Sequence, residues 1–403
     1  MSATRWPAAL GAVSLGVIAA ITIGKLPPAI PALRAEFGLT LAQSGWLVSM
    51  FNTLGLVASI FLGLLVARAG AMRLCVSALL LIVAGGVAGA VAQGSLLLLA
   101  GRFLEGMGFL LVVVATPALI VAATAEADRK TIFSFWGGYM PAGTAIGMLA
   151  APPLIALAGW RALWLAVAGV ALLALLLLVL NRAAYGAAQH PAGRVDWRAA
   201  SAPLKRAAPW WIALAFACYV FNYYAIMVWL PTYLIGERGV GLTMAAVLTA
   251  LMVAANFPGN LLGGFLMQRG VARGTNVIAA GVVTLATCSA AFAEGLPDLA
   301  RYAACVAFSF GVGVLPGSIM SASQTHAKTP AQIGTVQGMI IQGSNVGQFV
   351  SPLVVTAVVA HTAGPLDWQR MFGLLVASAG LIMVCGVMIR RIEARSQQPS
   401  PGG

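Results

Sequence analysis

Apolar residues in this chain run in long blocks, not in the one-sided stripe of a surface helix. Twelve such blocks fall near residues 8–31, 42–66, 74–93, 96–123, 131–157, 162–181, 209–234, 243–267, 275–293, 299–323, 332–360 and 370–390. At a rise of 1.5 Å per residue, each is long enough to cross the ~30 Å of bilayer hydrocarbon. The pattern predicts an all-α integral membrane protein with twelve transmembrane helices. The first block follows Arg5 and has no small-residue cleavage motif before its polar end, so it is expected to be retained and not removed as a signal peptide.

One polar stretch, residues 183–208, is much longer than the other breaks, and it divides the blocks six and six. The expected organisation is an N-terminal six-helix bundle (1–182), a basic linker (183–208) and a C-terminal six-helix bundle (209–403) ending in a short polar tail. Trp197 and Leu204 among basic groups fit a linker lying on the inner membrane surface. The tail SQQPSPGG has the composition of a disordered segment.

The two halves echo each other. Gly138, Gly143, Gly147 and Pro152 recur as Gly338, Gly343, Gly347 and Pro352, at an offset of 200. Pro31, Gly63, Gly70 and Arg73 likewise recur as Pro231, Gly263, Gly270 and Arg273. A half-chain repeat in a membrane protein points to two pseudo-symmetric bundles that rock against each other. Small residues at these positions let helices approach closely. The same offset sets Lys25 opposite Ala225, and Thr144, Ala145 and Met148 opposite Ser344, Asn345 and Gln348.

Composition agrees with the blocks: 61% of residues are hydrophobic and 8% charged. The net charge of +13 does not mark a nucleic-acid binder, because its distribution is topological. With the N-terminus inside, sixteen basic residues fall in cytoplasmic segments (Arg5, Arg68, Arg73, Arg129, Lys130, Arg182, Arg194, Arg198, Lys205, Arg206, Arg269, Arg273, Lys328, Arg390, Arg391 and Arg395). Five fall outside: Arg34, Arg161, Arg238, Arg301 and Arg370. The asymmetry predicts a multi-pass protein of a bacterial inner membrane with both termini in the cytoplasm, touching anionic lipid headgroups. Five cysteines, all in apolar blocks, predict neither a disulfide framework nor a metal site.

Twelve helices in two repeats with a basic central loop resemble the major facilitator superfamily over nearly the whole chain. The loop from Gly63 through Arg68 and Gly70 to Arg73 is similar to that family's gating loop, with Ala67 in place of the usual Asp. The second copy keeps Gly263, Arg269, Gly270 and Arg273. Arg102-Phe-Leu-Glu105-Gly106-Met-Gly108 is close to the family's fourth-helix pattern. Gly138, Gly147 and Pro152 belong to a glycine-rich pattern of family antiporters, which Ala151, Ile155 and Ala156 depart from. Trp136, the Gly159-Trp160-Arg161 run and Gln342-Gly-Ser-Asn345 look most like the cyanate-permease-like branch. The resemblance implies a secondary transporter working by alternating access, with no cofactor. Gly63, Arg68, Gly70, Arg73, Gly143, Gly147, Pro152, Gly343, Gly347 and Pro352 would serve gating and helix movement.

Charge within hydrocarbon is expensive, about 2.5–3.5 kcal/mol per group on insertion scales, so intramembrane ionisable residues are candidates by default. Three qualify: Lys25, Arg102 and Glu105. Lys25 either snorkels to the outer headgroups or faces the solute path and attracts an anion. Arg102 and Glu105, three apart, either form a structural ion pair or act as an anion grip and a proton carrier. Polar residues also form stripes: Ser49, Asn52 and Ser59; Tyr219, Asn222 and Tyr223; Asn256 and Asn260; Gln337, Ser344, Asn345 and Gln348 with Gln342 beside them. Amides in hydrocarbon need partners and turn inward, which predicts a polar cavity where the halves meet. Lys25, Asn52, Arg102, Tyr139, Asn222, Tyr223, Asn256, Gln342, Asn345 and Gln348 are the expected solute-binding residues, with Glu105 the proton-coupling group.

An anion entering against an inside-negative potential loses ~2.3 kcal/mol per charge per 100 mV. Uptake therefore needs a compensating proton or counter-anion. The expected function is proton-coupled uptake of a small polar or anionic organic solute by a monomeric carrier. The alternative is efflux of drugs or metabolites by proton antiport. His190, His326 and His361 lie between blocks without zinc-type spacing, and no serine–histidine set is visible, so an enzyme is not expected.

Overall fold

A computed structural model describes residues 4–189, 201–293, 295–327, 329–360 and 366–396; within these, the side chains of 61–68 and of a few residues at segment ends lie outside the description. The regular structure is helical, with no strand among the described residues. The first half contains α1 (Trp6–Gly24), α2 (Leu26–Phe37), α3 (Leu41–Ser49), α4 (Thr53–Ala69), α5 (Ala71–Ala90), α6 (Ser95–Ala123), α7 (Arg129–Gly137) and α8 (Tyr139–Leu180). The second contains α9 (Ala207–Arg238), α10 (Leu242–Gln268), α11 (Arg273–Phe292), α12 (Asp298–Ile319), α13 (Ala322–His326), α14 (Pro330–Val359) and α15 (Gln369–Ser396).

All twelve predicted spans are present as helix. The first is α1 and α2 together, interrupted at Lys25, because Pro27 and Pro28 cannot donate to the carbonyls one turn back. The second is α3 and α4, joined by a 3-10 turn at Met50–Asn52 and begun by a capping box between Thr40 and Gln43. The fifth and sixth share the 42-residue run α8, which breaks at Ala158 and Gly159 (φ 77°) into two lengths that each fit a bilayer. By length and composition, nine described helices can cross a membrane, α8 counting once. The second span misses that measure because its helix is interrupted. The eleventh, α14, misses it because Gln332, Gln337, Gln342, Asn345 and Gln348 make it polar.

The chain groups into two compact units: residues up to 195 with 227–254, and residues 196–226 with 255 onward. The first six spans lie in one, the last four in the other, and α9 and α10 are each divided between them.

Within each unit the echo is physical. Gly70 and Gly270, 200 apart, both adopt the left-handed region (φ 81° and 82°) where a side chain would be strained. In the first unit, a Cβ on Gly143 would strike the Val17 carbonyl and one on Gly147 the Ile21 carbonyl. In the second, Gly343 and Gly347 meet the carbonyls of Ala213 and Ala217 in the same way. The partner helices are therefore offset by 196, not 200. Gly147 also abuts the Lys25 amide nitrogen, and Gly347 the Phe221 nitrogen. The packing counterpart of Lys25 is Phe221, not Ala225, which corrects the expected register by about one helical turn.

Candidate functional site

Lys25 stands at the junction of α1 and α2, its amide still bonded to the Ile21 carbonyl (3.0 Å), and its side chain runs to α6. There Arg102 and Glu105, one turn apart, share a face. Lys25 Nζ lies 2.5 Å from Glu105 Oε1, and Arg102 Nη1 lies 2.6 Å from Glu105 Oε2. One carboxylate thus receives two cations, one on each oxygen. Arg102 also donates to the backbone carbonyls of Thr22 (2.8 Å) and Leu47 (3.3 Å), tying α6 to α1 and α3. Lys25 and Glu105 are fully buried and Arg102 is 2% exposed. Lys25 is paired inside the protein and does not extend to the headgroups.

Aromatic faces complete the enclosure. Lys25 Nζ sits 4.3 Å from the Trp164 ring centre, and the Arg102 guanidinium 4.6 Å from that of Phe51. Such placement stabilises a cation with few hydrogen-bond partners, by about 2 kcal/mol when desolvated. Trp164 fits because Gly89 has no side chain, and Gly85 leaves room beside Glu105. The cluster carries two positive charges against one negative. A buried surplus cation is costly unless something balances it, so the arrangement is suited to attracting an anion. A proton on Glu105 would free both cations at once.

The remaining expected residues fall into three groups. In the first unit, Asn52 is buried on the 3-10 turn, contacts the Val48 carbonyl with its Nδ2 at 3.5 Å, and leaves Oδ1 without a partner. Tyr139 stacks on Trp136 at 4.4 Å and does not contact the charged cluster. In the second unit, Tyr219 donates to Asn256 Oδ1 (3.3 Å), and Asn256 Nδ2 donates to the Ser309 carbonyl (3.0 Å). Asn222 is fully buried and neither of its amide atoms finds a partner, while Tyr223 stacks on Tyr219 at 6.0 Å. Asn345 donates to the Ile341 carbonyl, Gln348 to Ser344, and Gln342 is half-buried.

The gating candidates divide as well. Gly143, Gly147, Gly343 and Gly347 sit at close helix crossings, and Pro152 and Pro352 lie within α8 and α14. Gly70 makes the turn into α5, and the side chains at Gly63 and Arg68 are outside the described residues. Arg73 is exposed, whereas its echo Arg273 is buried and binds Glu393, the Ser318 carbonyl, Ser321 and Thr325. His326 also meets Glu393, at 3.0 Å. His190 and His361 lie outside the described residues. No metal-holding group of His, Cys, Asp or Glu occurs among the described residues.

Sequence reasoning missed Trp164 and Phe51 as cation partners. It also missed the contact in which Trp160 and Arg161 both bind Glu36, at 2.6 Å each. A visible signal was the spacing of Trp160 and Trp164, one turn apart behind Gly159.

Comparison with known proteins agrees with this architecture. The pattern of the Major Facilitator Superfamily matches residues 12–352. The chain is 25% identical to a probable sulfoacetate transporter of Cupriavidus necator, covering 91% of this chain and 89% of that protein. It is 26% identical to a putative niacin/nicotinamide transporter of Bacillus subtilis, covering 93% and 94%. Over a shorter stretch, 44% of this chain and 40% of the relative, it is 24% identical to a probable galactarate/D-glucarate transporter of Pseudomonas putida. Among solved structures, a bacterial homolog of the human lysosomal transporter Spinster matches in its inward-facing, unoccupied conformation. The TM-score is 0.80 at 15% identity over 99% of both chains. The occupied conformation of the same homolog gives 0.78. At that identity the likeness concerns the fold alone.

Proposed function

Because the chain belongs to the Major Facilitator Superfamily and is thus a multi-pass membrane transporter, we propose that it takes up a small organic anion by alternating access coupled to protons. The observation that carries this reading is Glu105, buried between Lys25 and Arg102. While ionised, Glu105 occupies both cations and acts as an internal substitute for the solute's negative charge. Once protonated, it no longer competes, and Lys25 and Arg102 are available to an incoming anion. Proton and monoanion then cross as a neutral pair, which cancels the ~2.3 kcal/mol per 100 mV that the anion alone would lose, and a dianion needs a second proton for the same balance.

The relatives support the solute class: sulfoacetate, galactarate or glucarate, and niacin are carboxylates or sulfonates, ionised at neutral pH, while nicotinamide, also in the Bacillus subtilis relative's name, is neutral. Asn52, Tyr139, Asn222, Tyr223, Asn256, Gln342, Asn345 and Gln348 are proposed to contact the solute beside the charged cluster. The loop from Gly63 to Arg73 and the small-residue crossings at Gly143, Gly147, Gly343 and Gly347, with Pro152 and Pro352, are proposed to serve the conformational change. The excess of basic residues in alternate loops supports a bacterial inner-membrane setting with both termini in the cytoplasm. Contact with anionic lipid and a monomeric state belong to the same reading, as do the division at 183–208 and the cyanate-permease-like branch. In proteoliposomes, uptake of labelled sulfoacetate, glucarate or nicotinate should rise with an inside-alkaline pH gradient and fall when a protonophore removes it. Uptake of all three indifferent to the gradient rules out the coupling. Gradient-driven export of lipophilic cations in place of these anions favours the efflux alternative.

A further inference from the structure

The second unit holds an aromatic row that the charged cluster does not use. Phe216, Tyr219 and Tyr223 stack in sequence along α9, with ring centres 5.5 and 6.0 Å apart and planes inclined by 26° at each step. Tyr224 continues it at 6.5 Å. The first three residues are buried, each 6–7% exposed, so the row is not a surface patch. One turn from Tyr219 and adjacent to Tyr223 sits Asn222, with both amide atoms buried and unpartnered.

An idle amide inside a membrane bundle demands an explanation. A buried donor or acceptor left unpaired costs about 1–3 kcal/mol, and native proteins keep few of them. Several polar neighbours on this side are engaged. Asn256 uses both amide atoms, on Tyr219 and the Ser309 carbonyl; Ser351 donates to the Phe221 carbonyl, and Thr356 to Pro352 and Leu353. Ser309 Oγ and Gln348 Oε1 in this unit are also buried without a partner, but Asn222 is the one described side chain here with both of its polar atoms idle. Beside it stands a row of stacked aromatic rings. That combination suits a ring bearing a single polar planar group.

We infer that the C-terminal half recognises a small aromatic carboxylic acid. Its ring lies along Phe216, Tyr219 and Tyr223, and its carboxyl group takes the Asn222 Nδ2 hydrogen bond. The inference rests on the carrier reading and narrows its solute. The carboxylate satisfies Asn222 Nδ2 only when the solute is present, so the desolvation already suffered by that donor in the empty site adds to selectivity. A solute lacking the ring leaves the aromatic row unfilled.

Counterflow in proteoliposomes at equal pH on both sides tests this without involving proton coupling. The vesicles are loaded with unlabelled 4-hydroxybenzoate, glucarate or sulfoacetate, and entry of the labelled form of each is followed. The expected result is saturable exchange of 4-hydroxybenzoate, at a half-saturating concentration at least tenfold below that of the other two. Asn222→Ala and Tyr223→Leu should each raise that concentration about tenfold, in line with the loss of one stacking or hydrogen-bonding partner. Tyr223→Phe, which keeps the ring, should recover most of the loss. Exchange of glucarate or sulfoacetate with none of 4-hydroxybenzoate overturns the ring proposal and leaves the carrier reading standing. So do wild-type half-saturation values in both Asn222→Ala and Tyr223→Leu. Exchange by wild type of none of the three acids, and of no nicotinate assayed in the same way, overturns both. The comparison of solutes on wild type decides the matter even where a variant does not fold.

Discussion

Neutralising Glu105 should destabilise the protein, while removing Lys25 should not. At 2.5 and 2.6 Å, each ion pair to Glu105 is worth roughly 6 kcal/mol of gross Coulomb attraction at an effective dielectric of 20, most of it offset by desolvation. Glu105→Gln leaves two buried cations facing each other with a formal charge of +2. Lys25→Met leaves the Arg102–Glu105 pair at zero. Breaking a buried pair by removing one partner costs about 3–5 kcal/mol because it strands the other charge; Glu105→Gln strands two cations, whereas Lys25→Met leaves Glu105 paired with Arg102. Lys25→Met should therefore unfold at or above the wild-type temperature in detergent, and Glu105→Gln several degrees below it. The double variant, with Arg102 alone, should recover part of the loss. Tryptophan fluorescence or a thiol-reactive dye during a thermal ramp reads all three. A Glu105→Gln protein as stable as wild type would refute the charge accounting, and so would a Lys25→Met protein less stable than Glu105→Gln.

Two further outcomes follow from the packing. Trp164→Leu removes a cation–π face and opens a cavity, so it should destabilise by about 2–5 kcal/mol. Trp164→Phe should cost less, because a ring face stays near Lys25; equal losses in the two variants would mean that the ring's π face contributes nothing. At the α14–α9 crossing, Gly347→Leu forces a side chain into the Ala217 carbonyl and should abolish properly folded protein on size-exclusion chromatography. Gly373→Ala, at a position with open space, should elute as wild type; similar profiles for both variants would contradict the close packing.

The fold was legible because the membrane imposes its length on each apolar block, and all twelve blocks are helices. The Arg102–Glu105 pair was legible because residues three apart on a helix share a face. The join of Lys25 to the same carboxylate was not, since 80 residues separate them and pairing across helices leaves no local pattern. Lys25 near a run of prolines read equally well as a residue reaching for headgroups. The register of the repeat was also hidden. An ungapped offset of 200 describes α8 and α14, but the helices they pack on differ by 196, a shift of one turn that carbonyl contacts show and residue identity does not. Asn222 was visible as one of several amides. That Asn256 is satisfied and Asn222 is not depends on which neighbours stand within reach, and sequence does not encode that distance.

The central claim is that Glu105 carries the proton that drives the anion. Its most direct test measures two processes in one set of proteoliposomes holding wild type or Glu105→Gln: uphill accumulation of the labelled anion under an inside-alkaline gradient, and gradient-free exchange of the same anion. The account predicts that wild type does both, while Glu105→Gln loses accumulation and retains exchange. Accumulation by Glu105→Gln at the wild-type level would contradict it.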